Sequence, residues 1–114
     1  MKPQRVQLRR AKGWRMPPNT VKVDRTTLFG NPFSIRDDGH DKAVALHRAW
    51  ITGKLADPVI TPARMRSLLQ LREKVLAALP ALRGRNLACW CPLPDAGQED
   101  NCHAAALLEL ANVE

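Results

Sequence analysis

The segment 86-NLACWC-91 decides how the rest of the chain is read. It is a mostly apolar run, too short for a helix, that follows the breakers Pro80 and Gly84 and leads into the loop 92-PLPDAGQEDN-101. Those features predict a short buried strand. Helical patterns flank it on both sides. Upstream, Thr61 suits an N-cap and Pro62 the first helical position, and Met65, Leu68, Leu69, Leu71, Val75, Leu76 and Leu79 recur at helical spacing as one broad buried stripe. Downstream, Asn101 is placed to cap a last helix running through Leu110.

Towards the N-terminus the polar run 36-RDDGHD-41 leads into another helix, with Asp38 or Asp41 as its cap and Val44, Leu46, His47, Trp50 and Ile51 as its apolar face. Before it, Val6 and Leu8, and then Val21 and Val23, alternate with polar residues as strands do. The predicted order is β-β-α-α-β-α. Strands interrupted by helices predict a small α/β sandwich with a short, mostly parallel sheet. Strands 20–25 and 86–91 are expected side by side through a right-handed crossover.

A chain of 114 residues is one domain with one core. At 45% hydrophobic and 25% charged residues it has the composition of a globular protein. No apolar run approaches the ~20 residues needed to cross a bilayer. No apolar segment follows the charged N-terminus, so no secretory signal and no membrane partner are expected. Three cysteines with a C-x-C pair suit a reducing, cytoplasmic setting better than a disulfide framework.

The net charge of +7 lies wholly in residues 1–25, where Lys2, Arg5, Arg9, Arg10, Lys12, Arg15, Lys22 and Arg25 face only Asp24. Such a local excess attracts anions. Within it, Arg9, Arg10, Lys12 and Arg15 surround Trp14, a set able to grip phosphates while the ring stacks on a base. A solvated arm, partly extended over residues 1–19, is the plainer account. Arg25 stands close to the turn 30-GNP-32, whose Gly30 backbone and Asn31 amide offer hydrogen bonds to a phosphate or a sugar hydroxyl. A structural turn explains the same residues. Neither the Gly-x-Gly-x-x-Gly pattern nor the Gly-Lys phosphate loop is present there, which disfavours classical dinucleotide and phosphate-loop binding.

All the cysteines lie near the chain's end: Cys89, Cys91 and Cys102, the last beside His103. Three readings stand. Side chains at i and i+2 of a strand share a face, so Cys89 and Cys91 converge, and with Cys102 and His103 they form a sulfur-nitrogen set suited to zinc. Adjacent residues at a helix start point about 100° apart, so joint ligation by Cys102 and His103 needs irregular backbone. Alternatively Cys102, at a helix N-terminus, is a reactive thiol with His103, His40 or His47 as its base. In the third reading the cysteines are small buried core residues.

Three segments together, 21-VKVDRTTLFGNPF-33, 82-LRGRNLACWCPLP-94 and 102-CHAAALLELAN-112, resemble the phage and bacterial family known as domain of unknown function 4326. The resemblance spans most of residues 5–112. It implies that Arg25, Gly30, Asn31, Pro32, Phe33, Cys89, Trp90, Cys91, Cys102 and His103 belong to a shared framework, and it brings no activity with it. The chain departs from the family pattern in the longer loop carrying 95-DAGQED-100. Ala104-Ala105 also replace an expected Gly-Asp, which removes the acid that a Cys/His/Asp catalytic set would use.

The expectation is a cytoplasmic domain, in a bacterial host if phage-encoded. It binds an anionic small molecule, a nucleotide or single-stranded nucleic acid at the strand ends, where α/β sheets hold their ligands. The alternatives are an enzyme on a nucleotide-like substrate, with Cys102 or zinc-bound water reacting and His103 as acid/base, and a module for binding a host protein. No motif for reading double-stranded DNA is present.

Overall fold

The computed structural model describes residues 3–56 and 60–113. Lys2, counted above in the basic segment, lies outside them. Strand β1 covers Arg5–Gln7, β2 Thr20–Lys22 and β3 Asn86–Cys89. Four α-helices follow the predicted sequence order: α1 Ile35–Asp38, α2 His40–Ile51, α3 Pro62–Ala78 and α4 His103–Ala111, with a 3-10 turn at Leu79–Leu82 after α3. The short α1 is additional to the expected pattern.

The sheet order is β1-β3-β2 and both pairings are parallel. Val6 lies opposite Ala88, and Val21 opposite Leu87. Leu8 and Val23 each prolong a pairing by one bond, their N–H groups donating to Cys89 and Ala88 carbonyls at 2.9 and 2.8 Å. The expected neighbours, residues 20–25 and 86–91, are thus adjacent and parallel, though the ladder stops at Val23 and Cys89. β3 lies in the middle, and its Leu87 and Ala88 have no exposure at all, as suits a strand with a neighbour on each edge.

Since β1 and β2 run the same way on opposite sides of β3, residues 8–19 must return from the carboxyl edge of the sheet to its amino edge. The basic arm is therefore the crossover of the sheet. It ends at Asn19, whose φ of 56° lets the chain turn into β2.

Four details of the helices differ from expectation. α2 starts after Gly39 at φ 80°, with no side-chain cap, so neither Asp38 nor Asp41 caps it. Its buried face is Ala43, His47, Trp50 and Ile51, while Val44 and Leu46 are half-buried. α4 starts at His103 with Cys102 in the cap position. Asn101 instead donates its amide to Asp41 Oδ1 and tethers α4 to α2. α3 does start as predicted, Thr61 Oγ1 accepting the Arg64 N–H at 3.2 Å. Only Leu68 and Val75 of its stripe are buried, and Leu69 is 50% exposed, because α3 packs along one narrow line rather than a broad face.

The core joins Val23 and Leu87 from the sheet to Phe33, Trp50, Ile51, Leu68, Val75, Leu82 and Leu107. Each such side chain contributes about 1.5–3 kcal/mol by leaving water. Trp50 keeps its polar edge satisfied by donating Nε1–H to Leu68 O at 2.8 Å.

Candidate metal centre and pocket

β3 ends at Cys89, the chain turns through Trp90, and Cys91 comes back towards Cys89 with 3.9 Å between their sulfurs. α4 brings Cys102 to the same place. The sulfur atoms of Cys89, Cys91 and Cys102 all lie within 4.8 Å of one another. All three cysteines are free thiols. Four sulfurs held tetrahedrally at 2.3 Å from zinc would stand about 3.8 Å apart, so this cluster has nearly the separation an ion needs. Three close cysteines able to hold a metal ion are thus brought together by the fold.

His103 lies next to the cluster. Its Nε2 donates to the Val23 carbonyl at 2.7 Å, which leaves Nδ1 as the nitrogen with a free lone pair, 3.8 Å from Cys102 Sγ. A carbonyl taking the far N–H is the usual way a metal-ligating imidazole is oriented. The irregular backbone that joint use of Cys102 and His103 requires is present, since Cys102 is extended (φ −147°, ψ 145°) while His103 is already helical.

The thiols share protons unequally. Cys89 is pushed well below the usual thiol range by donation from Cys102, then from Cys91, against an opposing effect of burial. Cys102 is pushed far up by donating to Cys89 and Cys91 and by burial. Cys91 is lowered by Cys102 but is raised on balance by donating to Cys89 and by burial. Cys102 is 1% exposed and holds its proton, a poor disposition for an attacking nucleophile.

A cavity of about 300 Å³ opens beside the cluster. Cys89, Cys91 and His103 form one side, Asp24, Arg25, Thr26 and Asn31 another, and His40 and Val44 of α2 a third, with Trp90 at the mouth. This lies at the carboxyl ends of β2 and β3, where ligands of parallel sheets bind. His40 Nε2 donates to the Asn101 carbonyl at 2.6 Å, so its Nδ1 is the basic nitrogen.

The structure distributes the other sequence candidates differently. Arg25 borders the cavity, but its guanidinium donates to the carbonyls of Asn31 and Phe33 at 2.8 and 2.9 Å. Asn31 is buried and doubly engaged, donating to Ala43 O at 3.0 Å and accepting from Phe33 N–H at 2.9 Å. At Gly30 a Cβ would lie 2.6 Å from Arg25 Cα and 2.7 Å from the Asp24 carbonyl, so close backbone packing requires glycine there. This turn builds the wall, and Arg25 holds it. Arg9, Arg10, Lys12 and Arg15 are exposed and Trp14 half-buried; none of them borders the cavity. Arg10 does reach it indirectly, its guanidinium 5.0 Å from the centre of the Trp90 ring.

Two residues have roles at the site that the sequence did not assign to them. Trp90 is 41% exposed, and its Nε1 donates to Asp24 Oδ2 at 2.9 Å. Burial would raise the Asp24 carboxyl, but hydrogen bonds from Thr26 and Trp90 outweigh it and hold the group below its usual range. An aromatic between two cysteines of a strand gave the only signal. Arg5 gave none. Its buried guanidinium binds Asp100 Oδ2 at 2.6 Å and the carbonyls of Cys91 and Pro92 at 2.7 and 2.6 Å, pinning the loop that carries the cluster.

The model of a family described as Domain of unknown function (DUF4326) matches residues 6–113. Comparison with curated proteins and with solved structures returned no match.

Proposed function

The chain belongs to this family of domains of unknown function, and we propose that it is a zinc-centred domain whose cavity binds a phosphate-bearing ligand of nucleotide size. One observation carries the reading: a cluster of three sulfurs lies beside a cavity at the sheet's carboxyl edge, Cys89, Cys91 and the neighbouring His103 lining that cavity, next to the segment that holds the chain's whole net charge. Soft thiolate and imidazole donors favour zinc over hard-ligand ions. Cys89, Cys91 and Cys102 would hold it, with His103 Nδ1 as the fourth donor. Bound there, zinc supplies a structural tie between the end of β3 and the start of α4, and a Lewis acid if one of the four donors yields to a ligand.

The test has two parts. Protein purified without added metal should carry about one equivalent of zinc, which a Cys89→Ser/Cys91→Ser variant loses. Calorimetric titration with nucleoside mono- and triphosphates should then give saturable binding. Metal-free protein that binds no nucleotide at millimolar concentration sinks the reading.

An enzymatic reading draws on the two imidazoles facing one cavity. In this reading His103 Nδ1 is not a metal donor, and His40 and His103 each have one nitrogen tied to a carbonyl and the other available for acid/base work. Turnover of a bound nucleotide, followed by phosphorus NMR and abolished by His40→Ala without loss of binding, is the expected signature. Intact nucleotide after long incubation removes it.

A further inference from the structure

Resting on the phosphate-ligand reading above, we infer that the partner is single-stranded nucleic acid, with one unstacked base lying against Trp90 and the following phosphates running along the crossover arm. Three observations carry this.

The first is the state of Trp90. An exposed tryptophan is usually a mobile side chain, but this one is fixed in orientation by its Nε1 bond to buried Asp24 while 41% of it remains open to solvent at the cavity mouth. A rigid exposed indole loses little entropy on stacking, and stacking on a base is indifferent to which base it is. The second is Arg10, which already lies over that ring at 5.0 Å. A guanidinium there can cap a stacked base or take its phosphate.

The third is the course of the arm. Arg9 and Arg10 leave the sheet at the carboxyl edge, beside the cavity, and Lys12 and Arg15 continue towards the opposite edge. All four are exposed, and among the described residues the ion pairs are Arg5–Asp100, Lys22–Asp24 and Arg48–Glu109, none of which involves them. Cations without carboxylate partners that extend away from an aromatic platform match a polyanion better than a single nucleotide. A duplex keeps its bases stacked on one another and cannot present one to the ring.

The test uses the full chain and fluorescent 12-mers of thymidine and of uridine, an abasic 12-mer, a blunt duplex, and free thymidine monophosphate as competitor. Both single strands should bind at least tenfold more tightly than the mononucleotide, the abasic strand or the duplex. Trp90→Ala should weaken strand binding by about 5- to 150-fold, the range of one base-aromatic stack, while Trp90→Phe, which keeps an aromatic face but loses the bond to Asp24, should fall between the wild type and Trp90→Ala. Replacing Arg9, Arg10, Lys12 and Arg15 by Gln should flatten the logarithmic salt dependence by about 0.7 for each phosphate that is no longer neutralised. Equal affinity for mononucleotide and strand, or for abasic and normal strand, overturns the inference and leaves the nucleotide pocket standing. No binding of any of these probes overturns both.

Discussion

At Gly30 the nearest atoms to a missing side chain are main-chain atoms of Asp24 and Arg25, which cannot move aside. Gly30→Ala is therefore expected to cost about 1–3 kcal/mol by overpacking, read as a lower denaturant midpoint. Asn31→Ala should lose a similar amount, because it strands the Phe33 N–H in a buried place and removes the Asn31 bond to α2. Both residues stood out in the sequence as candidates for ligand contact, and in the fold the Asn31 amide and the Gly30 N–H are engaged by their own chain. A Gly-Asn-Pro turn provides the same donors to a ligand or to its own chain. The choice depends on whether α2 comes close enough to take them.

At the level of elements, the loop from Pro92 to Asn101 has no regular structure except a turn, yet it delivers Cys102 to within 4.8 Å of Cys89. Arg5 on β1 makes that possible by binding three groups of residues 91–100 at once. Removing one partner of a buried ion pair costs about 3–5 kcal/mol, so Arg5→Met should destabilise the fold by that order. It should also speed amide exchange in residues 91–101 more than in α2 or α3. Exchange unchanged in that loop would show the clamp to be unimportant. A smaller effect is expected at α3: Thr61→Ala should cost about 1 kcal/mol by leaving the Arg64 N–H without its cap. The cap of α3 was legible because Thr-Pro is a local signal. The caps of α2 and α4 were not, because the side chains placed to cap them are diverted, as when Asn101 reaches Asp41 across the fold.

Across the whole molecule the deepest polar group is His47, 1% exposed, with Nδ1 lacking any partner among the described residues. Burial, then repulsion from the neighbouring His103 and Arg48 side chains, pushes its pKa from 6.5 down to about 3. The folded protein thus refuses a proton that the unfolded chain accepts below pH 6.5. Stability is complete above that pH and falls as pH drops towards 3, by an amount on the order of a few kcal/mol. Chemical denaturation between pH 7 and 4 should show this slope in the wild type and a shallower one in His47→Leu. Parallel slopes would assign the acid sensitivity elsewhere.

Local order was readable from the chain alone: which segments are helix or strand, that the strands pair in parallel, and that cysteines and excess charge collect near the strand ends. Those properties follow from periodicity, breakers and composition, each of which acts over a few residues. What only the tertiary structure decided is which polar groups turn inward. Arg5, His47 and Asn31 are buried and Trp90 is exposed, against their usual preferences, because each answers to partners far away in sequence. The same holds for the site. Three thiols spread over residues 89–102 become one cluster only when β3 lies between two parallel neighbours and α4 starts beside its end, a result of packing that no local pattern encodes.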